Sequence, residues 1–190
     1  MKKVDTRIQF TKAKLREAIL ELLQDKSIDK VTVKDICDKA GLNRGTFYLH
    51  YDSPAGLLQD IENQFLEENA RLFQSFLKRA ENREPNIMEA LFASIKMNSD
   101  IVCILLGPHG DPNFAGEIIN GMRESVLDQW QLEFPHYRRE DLDFVFEYAL
   151  MGSTRLILNW LQDSKGIPAS QFSKRIERLG HYALMAIKDF

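Results

Sequence analysis

The chain has 190 residues, 44% of them hydrophobic and 10% aromatic, with 25 Lys+Arg against 28 Asp+Glu and a formal net charge of −3. That composition excludes a disordered, collagenous or low-complexity chain, and the length allows one domain or a small module joined to a larger one. The charge is uneven: residues 1–51 hold 11 Lys+Arg and 7 Asp+Glu, a net of +4, whereas residues 52–190 hold 14 and 21, a net of −7. A basic module ahead of an acidic one suits contact with a polyanion by the first part alone.

In chain order, Leu15, Ala18, Ile19, Leu22 and Leu23 recur at the spacing of one helical face and predict a helix over residues 11–24 with Thr11 as its N-cap. Thr32 and Asp35 stand three apart in the form of a capping box and open a second helix, whose apolar face is Val33, Ile36, Cys37 and Ala40. Gly41 ends it in a sharp turn, and Asn43 caps a short third helix from Arg44 to about Tyr51, with Phe47 and Tyr51 on one face. Ser53 followed by Pro54 reads as an N-cap and first helical residue of a long helix ending near residues 83–85. Further helices are expected over residues 87–97, 100–106, 113–132, 141–163 and 169–189, with no convincing strand. The predicted class is all-α, with a helix-turn-helix module over residues 1–52 and a helical domain over residues 53–190.

Two short helices joined by a glycine turn, the second presenting polar residues, form a helix-turn-helix whose second helix has the diameter to enter the DNA major groove. Among the alternatives, enzyme chemistry finds little support. The histidines at 50, 109, 136 and 181 lack metal-ligand spacing, the stretch 107–112 lacks the Lys-Ser/Thr ending of a phosphate loop, and Cys103 in an apolar run reads as an inert thiol. Cys37 and Cys103, the only two cysteines, cannot make a disulfide framework, so a cytoplasmic setting without metal or cofactor is expected. No run approaches the roughly eighteen apolar residues of a membrane span, and no signal peptide follows the first lysines.

The run from Thr32 to Tyr51, Thr-Val-Lys-Asp-Ile-Cys-Asp-Lys-Ala-Gly-Leu-Asn-Arg-Gly-Thr-Phe-Tyr-Leu-His-Tyr, resembles the TetR family of bacterial transcription regulators. Residues 105–114, Leu-Leu-Gly-Pro-His-Gly-Asp-Pro-Asn-Phe, are similar to a subgroup that includes the activator of dihydroxyacetone kinase operons. The resemblance implies a homodimer on a palindromic double-stranded operator, modulated by a small-molecule effector or a co-regulator protein. Base reading then falls to Arg44, Thr46 and Gly45, phosphate contact to Tyr48, His50 and Lys34, and an apolar groove contact to Leu49, while Phe47 and Tyr51 pack the small core. A phosphate-contacting lysine common in the family is replaced by Pro54, which implies a shallower salt dependence. The second reading is therefore a helical protein-interaction co-regulator with weakened DNA binding. Phe92, Met97, Cys103, Phe114, Trp130, Tyr148 and Arg155 are candidates for an effector pocket, and Phe146, Gly152, Ser153, Ile157, Trp160, Leu179 and Ala183 for a dimer interface.

Overall fold

A computed structural model describes residues 6–82, 87–163 and 166–189, without the side chains of Leu77, Ala80, Glu81, Lys188 and Asp189. The described residues form helices and turns with no strand: α1 (Thr6–Leu22), α2 (Val33–Ala40), α3 (Arg44–Tyr48), α4 (Pro54–Glu81), α5 (Ile87–Met97), α6 (Ser99–Leu105), α7 (Phe114–Glu133), α8 (Arg139–Gln162) and α9 (Ala169–Met185). A short 3₁₀ turn, Ile28–Lys30, precedes α2, and another, Ala186–Asp189, follows α9. The all-α class holds, and α2, α3 and α4 begin at their expected caps, Thr32, Asn43 and Ser53.

Early boundaries move at α3 and α1. α3, expected to run to about Tyr51, ends at Tyr48, where the chain tightens into a turn with the His50 N–H on the Phe47 carbonyl at 2.9 Å. The start of α1 lies earlier than expected. Thr11 lies inside the helix, which begins at Thr6. Residues 6–10 are all exposed, so these turns bury no apolar stripe and leave no periodic signal to mark them. The expected end of α4 at residues 83–85 lies outside the described residues, and the helix itself is assigned to Glu81.

The chain divides into two compact units. The first takes residues 1–68 together with Ile104–Phe114, so it includes the start of α4 and a return of the chain far along the sequence. Its core is Leu15, Ile19, Leu23, Ile36, Phe47, Leu57 and Ile61, each no more than 1% exposed. α4 joins this core because a three-helix module as short as α1 to α3 cannot cover its own apolar faces.

The second unit comprises residues 69–103 and 115–190. Ile119 and Leu127 of α7 pack with Leu142, Val145 and Phe146 of α8 and Leu184 of α9. A second cluster joins Phe92 of α5, Trp160 of α8 and Phe172 of α9, with the Trp160 and Phe172 rings stacked at 4.4 Å. Arg123 of α7 bridges Asp143 and Glu147 of α8 and lies over the Phe146 ring. Arg139 reaches back to Glu124 at 2.7 Å and Asp128 at 2.9 Å, tying the same two helices at their polar rim.

Candidate nucleic-acid interface

The geometry of the first unit follows from its caps. Thr32 is extended, its Oγ1 accepts from the Asp35 N–H at 3.2 Å, and Asp35 Oδ2 accepts from the Thr32 N–H at 2.9 Å. Lys26 Nζ donates to the same carboxylate oxygen at 2.8 Å. The lysine first, then the Thr32 amide and hydroxyl, hold the Asp35 carboxyl well below the ordinary carboxylate range. α2 is thereby locked in place at its first turn. At its other end Gly41 has φ 65° and ψ 38°, the left-handed conformation that turns the chain without a Cβ penalty. Leu42 N–H then closes on the Cys37 carbonyl at 3.0 Å.

Asn43 starts α3 by accepting the Thr46 N–H at 2.7 Å on Oδ1, which also accepts the Thr46 hydroxyl at 3.0 Å. The Thr46 hydroxyl hydrogen is thus committed to the cap, leaving an oxygen lone pair and the methyl group to meet a base. A Cβ on Gly45 would lie 3.2 Å from Asn43 Oδ1, so a side chain there would press on the cap.

Burial splits α3 and the turn after it. Phe47 is 0% and Tyr51 9% exposed, whereas Tyr48 is 57% and Leu49 80% exposed. Lys34, Arg44 and Gly45 are exposed as well, and Thr46 and His50 are half-buried. All seven residues expected to meet DNA lie on this one unit, on α2, α3 and the turn after α3, while the two expected in the core are anchored inside it.

Two supports of the head were not read from the sequence. The Tyr51 hydroxyl donates to Asp60 Oδ2 of α4 at 2.7 Å, beside Lys12 of α1, whose Nζ sits 5.1 Å from the Tyr51 ring and 3.6 Å from Asp60. Burial, then Asp60, hold this phenol above its ordinary range. Arg16 donates to Gln64 at 2.6 Å one turn further along. The second support is the turn at residues 107–110, where His109 Nδ1 lies 3.1 Å from the Leu23 carbonyl and the His109 carbonyl accepts the Ile28 N–H at 3.2 Å. Neither partnership has a periodicity to betray it.

A small exposed helix, braced from behind and preceded by a capped glycine turn, is the architecture of a helix-turn-helix reader. Residues 15–61 match the family model for bacterial regulatory proteins of the tetR family. Residues 82–182, more than half of the chain, match the model for a transcriptional regulator C-terminal region of the same family. The chain belongs to the TetR family. A helix-turn-helix that binds DNA is typical of that family. Over 69 residues it is 35% identical to the uncharacterized HTH-type transcriptional regulator YxbF of Bacillus subtilis (strain 168), a stretch that is 36% of this chain and 18% of that protein. The chain thus spans less than a fifth of that curated relative. A TetR transcriptional regulator from Streptococcus agalactiae 2603V superposes with a TM-score of 0.65 at 23% identity, over 93% of this chain and 96% of that one. The dihydroxyacetone kinase operon activator DhaS does so with a TM-score of 0.55 at 19% identity, over 95% and 97%. At these identities the likeness is one of fold.

For a TetR-family chain the second unit is where an effector and a second subunit are sought. The seven pocket candidates are dispersed. Phe92 and Trp130 belong to different clusters of the second unit, Met97 and Tyr148 are 87% and 72% exposed, and Arg155 is exposed as well. Cys103 is half-buried, with its thiol pushed up by burial, and Phe114 belongs to the first unit, 5.9 Å from Phe65. Of the interface candidates, Gly152 and Leu179 are exposed and Ser153, Ile157 and Ala183 half-buried, but Phe146 and Trp160 are inside the subunit. The apolar side chains that α8 and α9 leave exposed are instead Phe144, Tyr148, Met151 and Leu156, and Leu179 and Tyr182. Among the described residues no group of three or more His, Cys, Asp or Glu could hold a metal ion, and no helix is long and apolar enough to cross a membrane.

Proposed function

We propose that the chain is a cytoplasmic, homodimeric transcriptional regulator that reads a palindromic operator with α3 and answers to a small-molecule effector or a co-regulator protein through its second unit. One observation carries the DNA half of this reading: Arg44 and Tyr48 of α3, and Leu49 directly after it, are exposed, whereas the helix's remaining aromatic, Phe47, is wholly buried. Arg44 donates bidentately to a guanine edge or holds a phosphate, Thr46 offers its methyl and an acceptor, and Gly45 lets the backbone approach the groove. Tyr48, His50 and Lys34 meet phosphates, and Leu49 makes an apolar contact. Two heads related by a two-fold axis then address half-sites about 34–36 Å apart. An effector acts by preferring one orientation of the heads, and its effect on operator affinity cannot exceed that preference. Catalysis has no part in this reading.

The test is to incubate the protein with fragmented genomic DNA of its source at moderate salt, recover the bound fragments and sequence them beside an Arg44→Ala, Tyr48→Ala double variant. A palindrome enriched by the wild type alone is the expected result. Equal recovery by both proteins would overturn operator reading and favour the co-regulator, for which a partner protein would be bound instead.

A further inference from the structure

We propose that His109 is a positioning residue for DNA binding: it clamps the turn between α1 and α2 at both ends and so sets the N-terminal end of α2, where Lys34 meets the phosphate backbone. The inference rests on the DNA-binding reading above and adds to it a residue some sixty positions beyond the helix-turn-helix.

Three linked observations carry it. First, one residue holds two points of the same turn. His109 Nδ1 is 3.1 Å from the Leu23 carbonyl, which can only accept, so Nδ1 carries a proton and donates. The His109 carbonyl in turn accepts the Ile28 N–H at 3.2 Å. Leu23 follows directly on α1, where the last helical carbonyls have no partner within the helix, and a donor arriving there from the side also complements the helix dipole.

Second, the turn held in this way reaches the base of α2. Lys26 lies between the two clamped points, and its ammonium donates to Asp35 Oδ2 at 2.8 Å. That oxygen accepts from Thr32 N–H and Thr32 Oγ1, both at 2.9 Å, and so completes the capping box of α2. Lys34, exposed, stands between Thr32 and Asp35 in the first turn of the helix. A shift of the 23–28 turn therefore moves Lys26, loosens the cap and displaces the one phosphate contact assigned to α2.

Third, the element that bears His109 is stiff. A Cβ on buried Gly110 would stand 2.4 Å from the Leu105 carbonyl oxygen and 2.9 Å from that of Ile104, so the turn folds back on its own preceding helix as closely as backbone allows. Leu105 is 0% exposed on one side, and Phe114, 1% exposed, meets Phe65 at 5.9 Å on the other. Asp111 fixes the exit by accepting the Asn113 N–H at 2.8 Å. A loop built only to connect two helices needs none of this. In chain order the stretch Ile104–Phe114 is entered from, and left to, residues of the second unit, so the positioning group of the DNA-binding unit is carried on chain that continues into the other.

A brace that merely stabilised the head would change how much protein is folded, whereas a positioning group changes which contacts the folded protein makes. The slope of log K against log [salt] separates the two, because it counts phosphates neutralised and is insensitive to the active fraction. The experiment uses the full chain and a duplex recovered by the wild type from genomic fragments. His109→Ala is expected to bind about fivefold more weakly at low salt, with a slope shallower by about 1.8, one phosphate lost from each of the two heads. Lys34→Ala should give the same slope, and the double variant no further loss. His109→Asn, whose side-chain amide can still donate to Leu23, should restore the wild-type slope and keeps the test open if the alanine variant is poorly folded. A wild-type slope in His109→Ala, with or without a lower melting temperature, would overturn the inference. A wild type that retains no duplex would overturn the DNA-binding reading and this inference with it, a result distinct from the former.

Discussion

At the scale of single residues, the DNA-binding unit separates side chains that hold it up from side chains that face outward. Phe47 is fully buried and Arg44 exposed, three positions apart, so replacing each by alanine should fail in opposite ways. Phe47→Ala removes a core aromatic and should cost about 3–5 kcal/mol, seen in a urea melt. Arg44→Ala should leave that melt within about 0.5 kcal/mol of the wild type while abolishing operator enrichment. Asp35 allows a test by pH. Its carboxyl is held below the ordinary range by Lys26 and Thr32, so the stabilisation is present above the unfolded value of about 3.9 and is lost as pH falls through the folded value. The gap in melting temperature between the wild type and Asp35→Asn should therefore be constant from about pH 7 to 5 and close below about pH 4. A gap that widens with acid would show that this cap is not held by a charged carboxylate.

At the scale of elements, glycine serves two unlike turns, and the difference is measurable. Gly41 has open space around a would-be Cβ but a φ of 65°, so Gly41→Ala costs backbone strain alone, about 1–2 kcal/mol. Gly110 has no such dihedral, yet its Cβ would meet two backbone carbonyls that no rotamer change can move. Gly110→Ala should cost about 3 kcal/mol, at the upper end of overpacking, and a urea melt in which it is the milder substitution would refute the packing argued for residues 104–114. The contrast also marks what was legible beforehand. Gly41 could be read because a helix stop, Asn43 and a second helix surround it in sequence. The role of Gly110 could not, because its partners become neighbours only when the chain folds back, and the His109 clamp spans 86 positions. The same limit applies to α8. Its sequence reveals a helix rich in apolar residues but cannot decide that Phe146 and Trp160 turn inward while Phe144 and Tyr148 stay exposed, since that depends on where α7 and α9 lie. At α1 the missing information was of the opposite kind, since exposed turns that bury nothing carry no pattern.

At the scale of the whole molecule, the exposed side chains of α8 and α9 supply the argument for a second copy. Phe144, Tyr148 and Met151 follow one another at helical spacing on α8, and Leu179 and Tyr182 do so on α9, each at least 55% exposed. Apolar side chains set out in rows on two neighbouring helices are what an isologous interface requires, because a two-fold axis brings each row against its copy. We therefore expect Met151→Glu and Tyr182→Glu, each placing an unpaired charge on this face, to sediment as monomers at micromolar concentration while keeping the helical circular dichroism of the wild type. DNA binding then discriminates between loss of the dimer and damage to the head. Joining two heads makes the second half-site an intramolecular partner, worth about 10²–10⁴ in avidity. Affinity for the full palindrome should thus fall about 100-fold or more, while affinity for a single half-site stays at the wild-type value. Equal losses on both duplexes would place the damage in the DNA-binding unit, and a variant that remains dimeric with full palindrome affinity would move the interface off α8 and α9.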